Sequence, residues 1–282
     1  MIRFECDYLE GAHPRILEAL TATNFEQTQG YGTDTYCEKA RSIIKEKCNS
    51  QESDVHFLVG GTQTNTTVIA SILRPHQGVL CASTGHINVH ETGAIEATGH
   101  KVMSIPSDDG KITALDIQNA YESHFNDDTA EHMVQPGMVY ISHPTENGTL
   151  YTKKELEAIS YVCRKLSLPL FLDGARLGYG LTADGNDVTL EDIARFCDVF
   201  YIGGTKVGAL FGEAVVITNS SLKKDFRYFI KQNGGMLAKG RLLGIQFTTL
   251  LENNLYFEIA SHANNLALKI RDAFESKGCS FR

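Results

Sequence analysis

Between Asp54 and Ile217 the sequence alternates short apolar runs with longer stretches of mixed polarity. Such runs predict strands buried on both faces, and the stretches between them predict helices. Strands that alternate with helices are typical of an α/β fold with a mostly parallel sheet, in which ligands bind at the carboxyl ends of the strands. The seven predicted strands are DVHFLVGG, VLCAS, HKVMSIP, MVYISHPT, LPLFLDGA, VFYIGG and GEAVVIT.

The rest of the pattern predicts how the chain divides into domains. We expect an N-terminal arm and helix over residues 1–30, a large domain over 31–219 and a small C-terminal domain over 220–282. The small domain has a mainly helical pattern, but its last residues, CSFR, resemble the opening of a strand. Because a domain seldom ends on an unpaired strand, we expect a small α/β domain that is incomplete. The helices predicted inside the large domain are TQTNTTVIASILR, INVHETGAIEATG, ITALDIQNAYESHF and KKELEAISYVCRKLS.

Composition argues against several classes of function. The net charge is −8 and no Lys/Arg run occurs, which argues against nucleic-acid binding. No apolar stretch reaches the roughly 18 residues of a membrane span, and the N-terminal segment MIRFECDYLEGAHP lacks the pattern of a secretory signal. The seven cysteines are scattered without a C-x-x-C pair, as expected of reduced thiols in a cytoplasmic protein.

The segment GGTQTN, which begins at Gly60, follows the first predicted strand and opens a helix. Two glycines permit a tight turn, after which the backbone amides of Thr62 and Gln63 would point outward from the helix N-terminus. Such a terminus suits a phosphate group. A tight turn without a ligand is equally consistent with these residues, since they match neither a P-loop nor G-x-G-x-x-G.

Two later strands end in charged residues. LFLDGAR places Asp173 at the end of a buried strand, with Arg176 three residues later. A buried carboxylate needs a cationic partner, which could be a protonated pyridine nitrogen or Arg176 itself in a structural ion pair. VFYIGGTK places Thr205 and Lys206 after another strand, where a lysine amine can reach a cleft and react with an aldehyde cofactor. A single lysine can equally be a surface residue.

The segment STGHINVHETGA places His86 after the second strand, where its ring could stack on a planar cofactor. His86 and His90 are four residues apart and could share a helix face as metal ligands. The segment is not H-E-x-x-H and offers no evident third ligand, so we expect no metal site. Taken singly, His90 and Glu91 are expected to be solvated or to cap a helix.

The order of these motifs, each after its own strand, resembles the threonine aldolase branch of the β-eliminating lyase family, which are fold-type-I pyridoxal-phosphate (PLP) enzymes. The resemblance covers nearly the whole chain and implies an aspartate-aminotransferase-like fold with PLP as cofactor. The segments that carry it are HPRILEAL, GYGTDTY, GGTQTN, TGHINVHETGA, GHK, LDGARLGYGL, GGTK and IKQNGGMLAKGRLLGIQF.

The resemblance also implies roles for individual residues. Lys206 is similar to the Schiff-base lysine, and Asp173 to the acid that pairs with the pyridine nitrogen. Arg176 is similar to the arginine near the cofactor and the substrate carboxylate, and His86 to the histidine that stacks on the ring. Tyr31 lies in a loop that commonly enters a neighbouring subunit's active site, where it would contact substrate. Gly61, Thr62 and Thr205 are similar to residues around the phosphate.

The implied activity is cleavage of threonine or a related β-hydroxy-α-amino acid into glycine and an aldehyde, in a homodimer or homotetramer with shared active sites. The base that takes the hydroxyl proton could be His86, His143, Glu91 or a water molecule. Alternatives are β-elimination or transamination on the same fold, a non-catalytic PLP-fold protein, and a metal-dependent hydrolase that uses His86 and His90. Relatives often carry serine where Cys6 stands, and they usually continue about 50–60 residues further, within ordinary domain sizes.

Overall fold

A computed structural model describes residues 3–280 of the 282-residue chain. Within that range, seven strands and twelve α-helices alternate in the predicted manner. The strands are β1 (Asp54–Leu58), β2 (Gln77–Ala82), β3 (Lys101–Ile105), β4 (Gln135–Ser142), β5 (Leu170–Asp173), β6 (Val199–Gly203) and β7 (Glu213–Ile217). The helices are α1 (Pro14–Ala22), α2 (Thr35–Lys47), α3 (Gly61–Ile72), α4 (His86–Val89), α5 (Ala94–Ala97), α6 (Ala114–Phe125), α7 (Lys153–Leu166), α8 (Leu177–Leu181), α9 (Leu190–Phe196), α10 (Phe226–Gln232), α11 (Arg241–Glu252) and α12 (Leu255–Glu275).

The strands form one seven-stranded sheet in the order β1-β7-β6-β5-β4-β2-β3. Strands β3, β2, β4, β5 and β6 pair in parallel, whereas β7 is antiparallel to both β6 and β1. Each predicted strand overlaps an observed one, so the prediction of a mostly parallel seven-stranded sheet is confirmed. The carboxyl ends of the parallel strands share one edge, which is where a ligand is expected.

Helices cover both faces of the sheet, because successive strand residues point to opposite sides. On β4, Val139 and Ile141 belong to a cluster that also holds buried residues of α2, α6, α7, α9, α11 and α12. Met138 and Tyr140 face the other way, into a cluster with residues of α3, α5 and α10. Apolar side chains on both faces explain why the strands are nearly continuous apolar runs.

The helix predicted at INVHETGAIEATG is instead two short helices, α4 and α5. Thr92 and Gly93 separate them with φ angles of 52° and 70°, which a right-handed helix cannot contain. The prediction of one helix was therefore wrong.

The C-terminal part, residues 220–280, contains helices and no strand. Of the strand opening predicted at CSFR, Cys279 and Ser280 lie in irregular backbone, and residues 281 and 282 lie outside the described range. No helix within residues 3–280 is both long and apolar enough to cross a membrane. All seven cysteines are free; five are buried, Cys6 is half-buried and Cys279 is exposed.

Candidate active site

One cavity of about 260 Å³ opens at the carboxyl edge of the sheet. Most of the residues predicted for the site line it, although they come from separate turns that are distant in sequence. Its lining residues are Tyr8, Val59, Gly60, Gly61, Thr62, His86, Ser142, Pro144, Glu146, Asp173, Ala175, Arg176, Tyr201, Thr205, Lys206 and Glu213.

Asp173, the last residue of β5, is only 4% exposed and accepts four hydrogen bonds. Tyr201 Oη and the Ala175 amide donate to Oδ1 at 2.5 and 2.9 Å. Tyr140 Oη and Asn65 Nδ2 donate to Oδ2 at 2.5 and 3.2 Å. These donors occupy the oxygens of the carboxylate and hold it in one orientation at the cavity wall.

Lys206 lies in the turn that follows β6, with its side chain half-buried in the cavity. Burial lowers the pKa of its amine, and the neighbouring positive charge of Arg176 lowers it further. A lowered pKa increases the fraction of neutral, nucleophilic amine at a given pH. The Tyr8 ring lies 5.9 Å from Nζ on the solvent side.

The N-terminus of α3 forms a cradle at the cavity wall, defined here as Gly60, Gly61 and Thr62. The first amides of a helix have no intrahelical acceptor and favour an anion. A Cβ added at Gly60 would have no neighbour within 4 Å, so this residue borders open space, whereas one at Gly61 would lie 3.3 Å from Tyr201 Oη. Gln63 does not line the cavity, because its side chain accepts from the Val59 amide and donates to the Asn233 carbonyl.

A hydrogen-bonded chain runs from His86 to Asp173. His86 Nδ1 lies 2.8 Å from Glu91 Oε1, and Asn65 Nδ2 donates to that same oxygen at 2.7 Å as well as to Asp173. The bond to Glu91 raises the pKa of His86, although burial opposes it. Glu91 is 5% exposed, so the prediction of a solvated or capping role for it was wrong. The sequence showed no sign of Asn65, which is fully buried in α3.

Arg176 lines the cavity but is paired with the N-terminal arm. Its Nε and one terminal nitrogen donate to the two oxygens of Asp7 at 2.6 and 3.2 Å. Burial raises the pKa of Asp7, but the bond to Arg176 and the charge of Lys206 outweigh it, and the pKa lies below its usual value. The arm is therefore held across the cavity mouth by a bidentate ion pair.

Two carboxyl groups in the cavity were absent from the predicted site. Glu146 Oε1 accepts from the His86 amide at 2.9 Å and from Ser142 Oγ at 2.6 Å, and burial raises the pKa of this residue. Glu213 begins β7, is 3% exposed and accepts from Thr205 Oγ1 at 3.0 Å. The available sequence signal for Glu213 was a charge that opens the apolar strand EAVVI.

Five residues considered for the site do not line the cavity, namely Tyr31, Gln63, His90, Glu91 and His143. Tyr31 is 48% exposed and lies beside Arg227 and Lys231. His143 is buried, neither of its ring nitrogens has a hydrogen-bond partner among residues 3–280, and burial lowers its pKa to about 4. Among residues 3–280, His86 and His90 belong to no group of three or more His, Cys, Asp or Glu side chains able to hold a metal ion.

The chain is similar to known proteins over nearly its whole length. Residues 6–279 match the beta-eliminating lyase family. The chain is 31% identical over 267 residues to a low specificity L-threonine aldolase of a Pseudomonas species, which covers 94% of this chain and 76% of that protein. The structure of Leishmania major threonine aldolase superposes with a TM-score of 0.94 at 50% identity, covering 96% of this chain and 78% of that one.

An aspartate aminotransferase of Thermus thermophilus, at 14% identity, superposes with a TM-score of 0.73 over 94% of this chain and 68% of its own, so the aspartate-aminotransferase-like fold is confirmed. The family match spans nearly the whole chain and agrees with the motifs that meet at the cavity. The chain therefore belongs to the beta-eliminating lyase family.

Proposed function

We propose that this protein is a PLP-dependent aldolase that cleaves threonine, or a related β-hydroxy-α-amino acid, into glycine and an aldehyde. The observation that carries the proposal is the meeting of Lys206, Asp173 and the α3 cradle at one cavity. The likeness to threonine aldolases of a Pseudomonas species and Leishmania major favours this reaction over elimination or transamination on the same fold.

The residues present fit PLP. The cradle offers unpaired amides and open space for a phosphate, and Asp173 presents a negative charge to a protonated pyridine nitrogen. Lys206 offers an amine of lowered pKa to the aldehyde, and His86 offers a ring at the cavity wall. When bound, PLP supplies an electron sink for the pair of electrons left by the broken Cα–Cβ bond.

The protein must also take the proton from the substrate hydroxyl as the Cα–Cβ bond breaks. His86 and Glu146 both line the cavity, whereas His143 and Glu91 do not. The usual pKa of histidine, 6.5, is already close to neutral, so raising it leaves more of His86 protonated and makes it a poorer acceptor near neutral pH. A raised pKa makes Glu146 a stronger base than an ordinary carboxylate. Glu146 is therefore the better acceptor for this proton.

Arg176 is the cation available to the substrate carboxylate, provided that Asp7 releases part of its bidentate pairing. We also propose that the enzyme works in the cytoplasm as a homodimer or homotetramer. Tyr31 is exposed and does not line its own chain's cavity, which supports a role of that loop in a neighbouring subunit's site.

A product assay tests the activity. The purified chain, supplied with PLP, should release glycine and acetaldehyde from threonine in equal amounts, and Lys206→Ala should release neither. Serine and a β-substituted alanine serve as controls for the other reactions. If these controls yield pyruvate and threonine yields no acetaldehyde, the protein is a β-eliminating lyase and not an aldolase.

A further inference from the structure

The antiparallel direction of β7 brings Glu213 to the edge of the sheet where the cavity lies. Because β7 runs against its neighbours, its first residue lies at the edge where the other strands end. In the sheet Glu213 pairs with Gly203 and Leu58, the last residues of β6 and β1. The chain continues from Gly203 to Lys206 and from Leu58 to the cradle, so Glu213 pairs with the strand ends that lead to both, and all three features line the same cavity.

The Glu213 side chain is buried in the cavity wall and is only partly satisfied. Thr205 Oγ1 donates to Oε1, and Oε2 has no hydrogen-bond partner within the described part of the chain. An ionised carboxylate in such a place is costly unless a cation neutralises it. Arg176 already pairs with Asp7, which leaves Lys206 as the nearby cation of the cavity wall.

The charged and titratable groups that face Glu213 come from three elements. They are Asp173 on β5, Tyr201 on β6 and Lys206 in the turn after β6, with Tyr256 of α12 further back. Burial raises the pKa of Glu213 to about 8; the Thr205 bond and the Lys206 charge oppose that effect, and the Asp173 charge adds to it. Near neutral pH, most molecules therefore carry a proton on this group.

We propose that Glu213 is protonated at neutral pH and donates a hydrogen bond from Oε2 to the phosphate held in the cradle, so that anion binding is linked to one proton. A protonated carboxyl group is a donor, whereas an ionised one accepts only and would repel a phosphate. This inference rests on the proposed function, since it assigns the cradle to the cofactor's phosphate.

The affinity for the phosphate should depend on pH in a definite direction. Below the pKa of Glu213 the donor is already in place, and affinity does not depend on its titration. Above that pKa, binding must first return a proton to the group, so affinity falls by up to about tenfold for each pH unit. Glutamine at this position imitates the protonated acid, because its amide can donate at every pH.

The test uses 4′-deoxypyridoxine 5′-phosphate, which carries the phosphate and no aldehyde and so cannot bond covalently to Lys206. Titration calorimetry in two buffers of different ionisation enthalpy, at about pH 8.5, counts the protons taken up on binding. Wild type should take up a fraction of a proton on binding, and so should the control Glu157→Gln, which changes an exposed residue. Glu213→Gln should lack this uptake. At about pH 9.5, some 1.5 units above the pKa of about 8, Glu213→Gln should bind roughly thirtyfold more tightly than wild type.

Each other outcome overturns the inference. If wild type takes up no proton, or Glu213→Gln takes up as much, Glu213 is not the linked donor, although the cofactor proposal stands. If wild type does not bind the analogue at all, the cradle holds no phosphate, and both this inference and the proposed cofactor fail. If Glu213→Gln does not fold, the wild-type measurement still tests the inference, because a wild type that takes up no proton overturns it.

Discussion

Replacing Glu146 with glutamine should abolish most threonine cleavage without disturbing the site. The glutamine oxygen can still accept from the His86 amide and from Ser142 Oγ, which now bind Oε1 of the carboxylate. The variant therefore keeps both hydrogen bonds at this position and loses only the basic carboxylate. A general base contributes about 10²–10⁴ to the rate, so kcat should fall by that factor, which is about 3–5 kcal/mol in the barrier.

Two reactions measured on the same enzyme separate this role from a structural one. Threonine cleavage is followed by acetaldehyde release, and exchange of the glycine α-proton is followed by proton NMR in D₂O. Glycine has no hydroxyl, so its exchange needs no acceptor at Glu146 and should be unchanged in the variant. The wild-type profile of kcat/KM should fall as pH drops through the raised pKa of Glu146, and Glu146→Gln should lose this limb. A variant that cleaves threonine at the wild-type rate, or loses both reactions equally, would refute the assignment.

Two further predictions concern stability, and both can be measured by denaturant unfolding. A Cβ at Gly174 would lie 1.9 Å from the Tyr201 carbonyl oxygen, so Gly174→Ala should cost about 3 kcal/mol or more, whereas Gly60→Ala, with open space and an extended φ of −173°, should cost within about 1 kcal/mol. Equal losses would show that the contact between β5 and β6 is looser than described. The pKa of Glu213 in the folded protein, about 8, lies above the usual 4.5. The contribution of this group to the free energy of unfolding is therefore fully present below pH 4.5 and is lost as pH rises through about 8. Glu213→Gln should therefore gain stability relative to wild type between those values, and a constant difference would contradict the raised pKa.

The sheet and the central residues were predictable because local sequence determines them. A buried strand is an apolar run, and the run ends where the chain leaves the sheet. Asp173 ends one such run and Lys206 follows the end of another, so their placement at one edge followed from the parallel arrangement. The turn at Gly60 was predictable for the same reason, because it follows the end of β1.

The rest of the site depends on contacts between distant segments. Asn65 and Glu91 lie 26 residues apart in sequence, and nothing local indicates that they share a hydrogen bond. Glu146 reaches the cavity through a bond to the His86 amide, 60 residues away. Glu213 was missed because an apolar run does not reveal its direction in the sheet, and only the antiparallel course of β7 brings it to the cavity.

The most direct test of the account is where PLP becomes attached to the chain. The protein is incubated with PLP, reduced with borohydride and digested, and the labelled peptide is identified by mass spectrometry. We predict one label, on Lys206, and no label at any other lysine in Lys206→Ala. A wild-type chain that takes up no label, or carries it on several surface lysines, would contradict the central claim that this cavity is a PLP site.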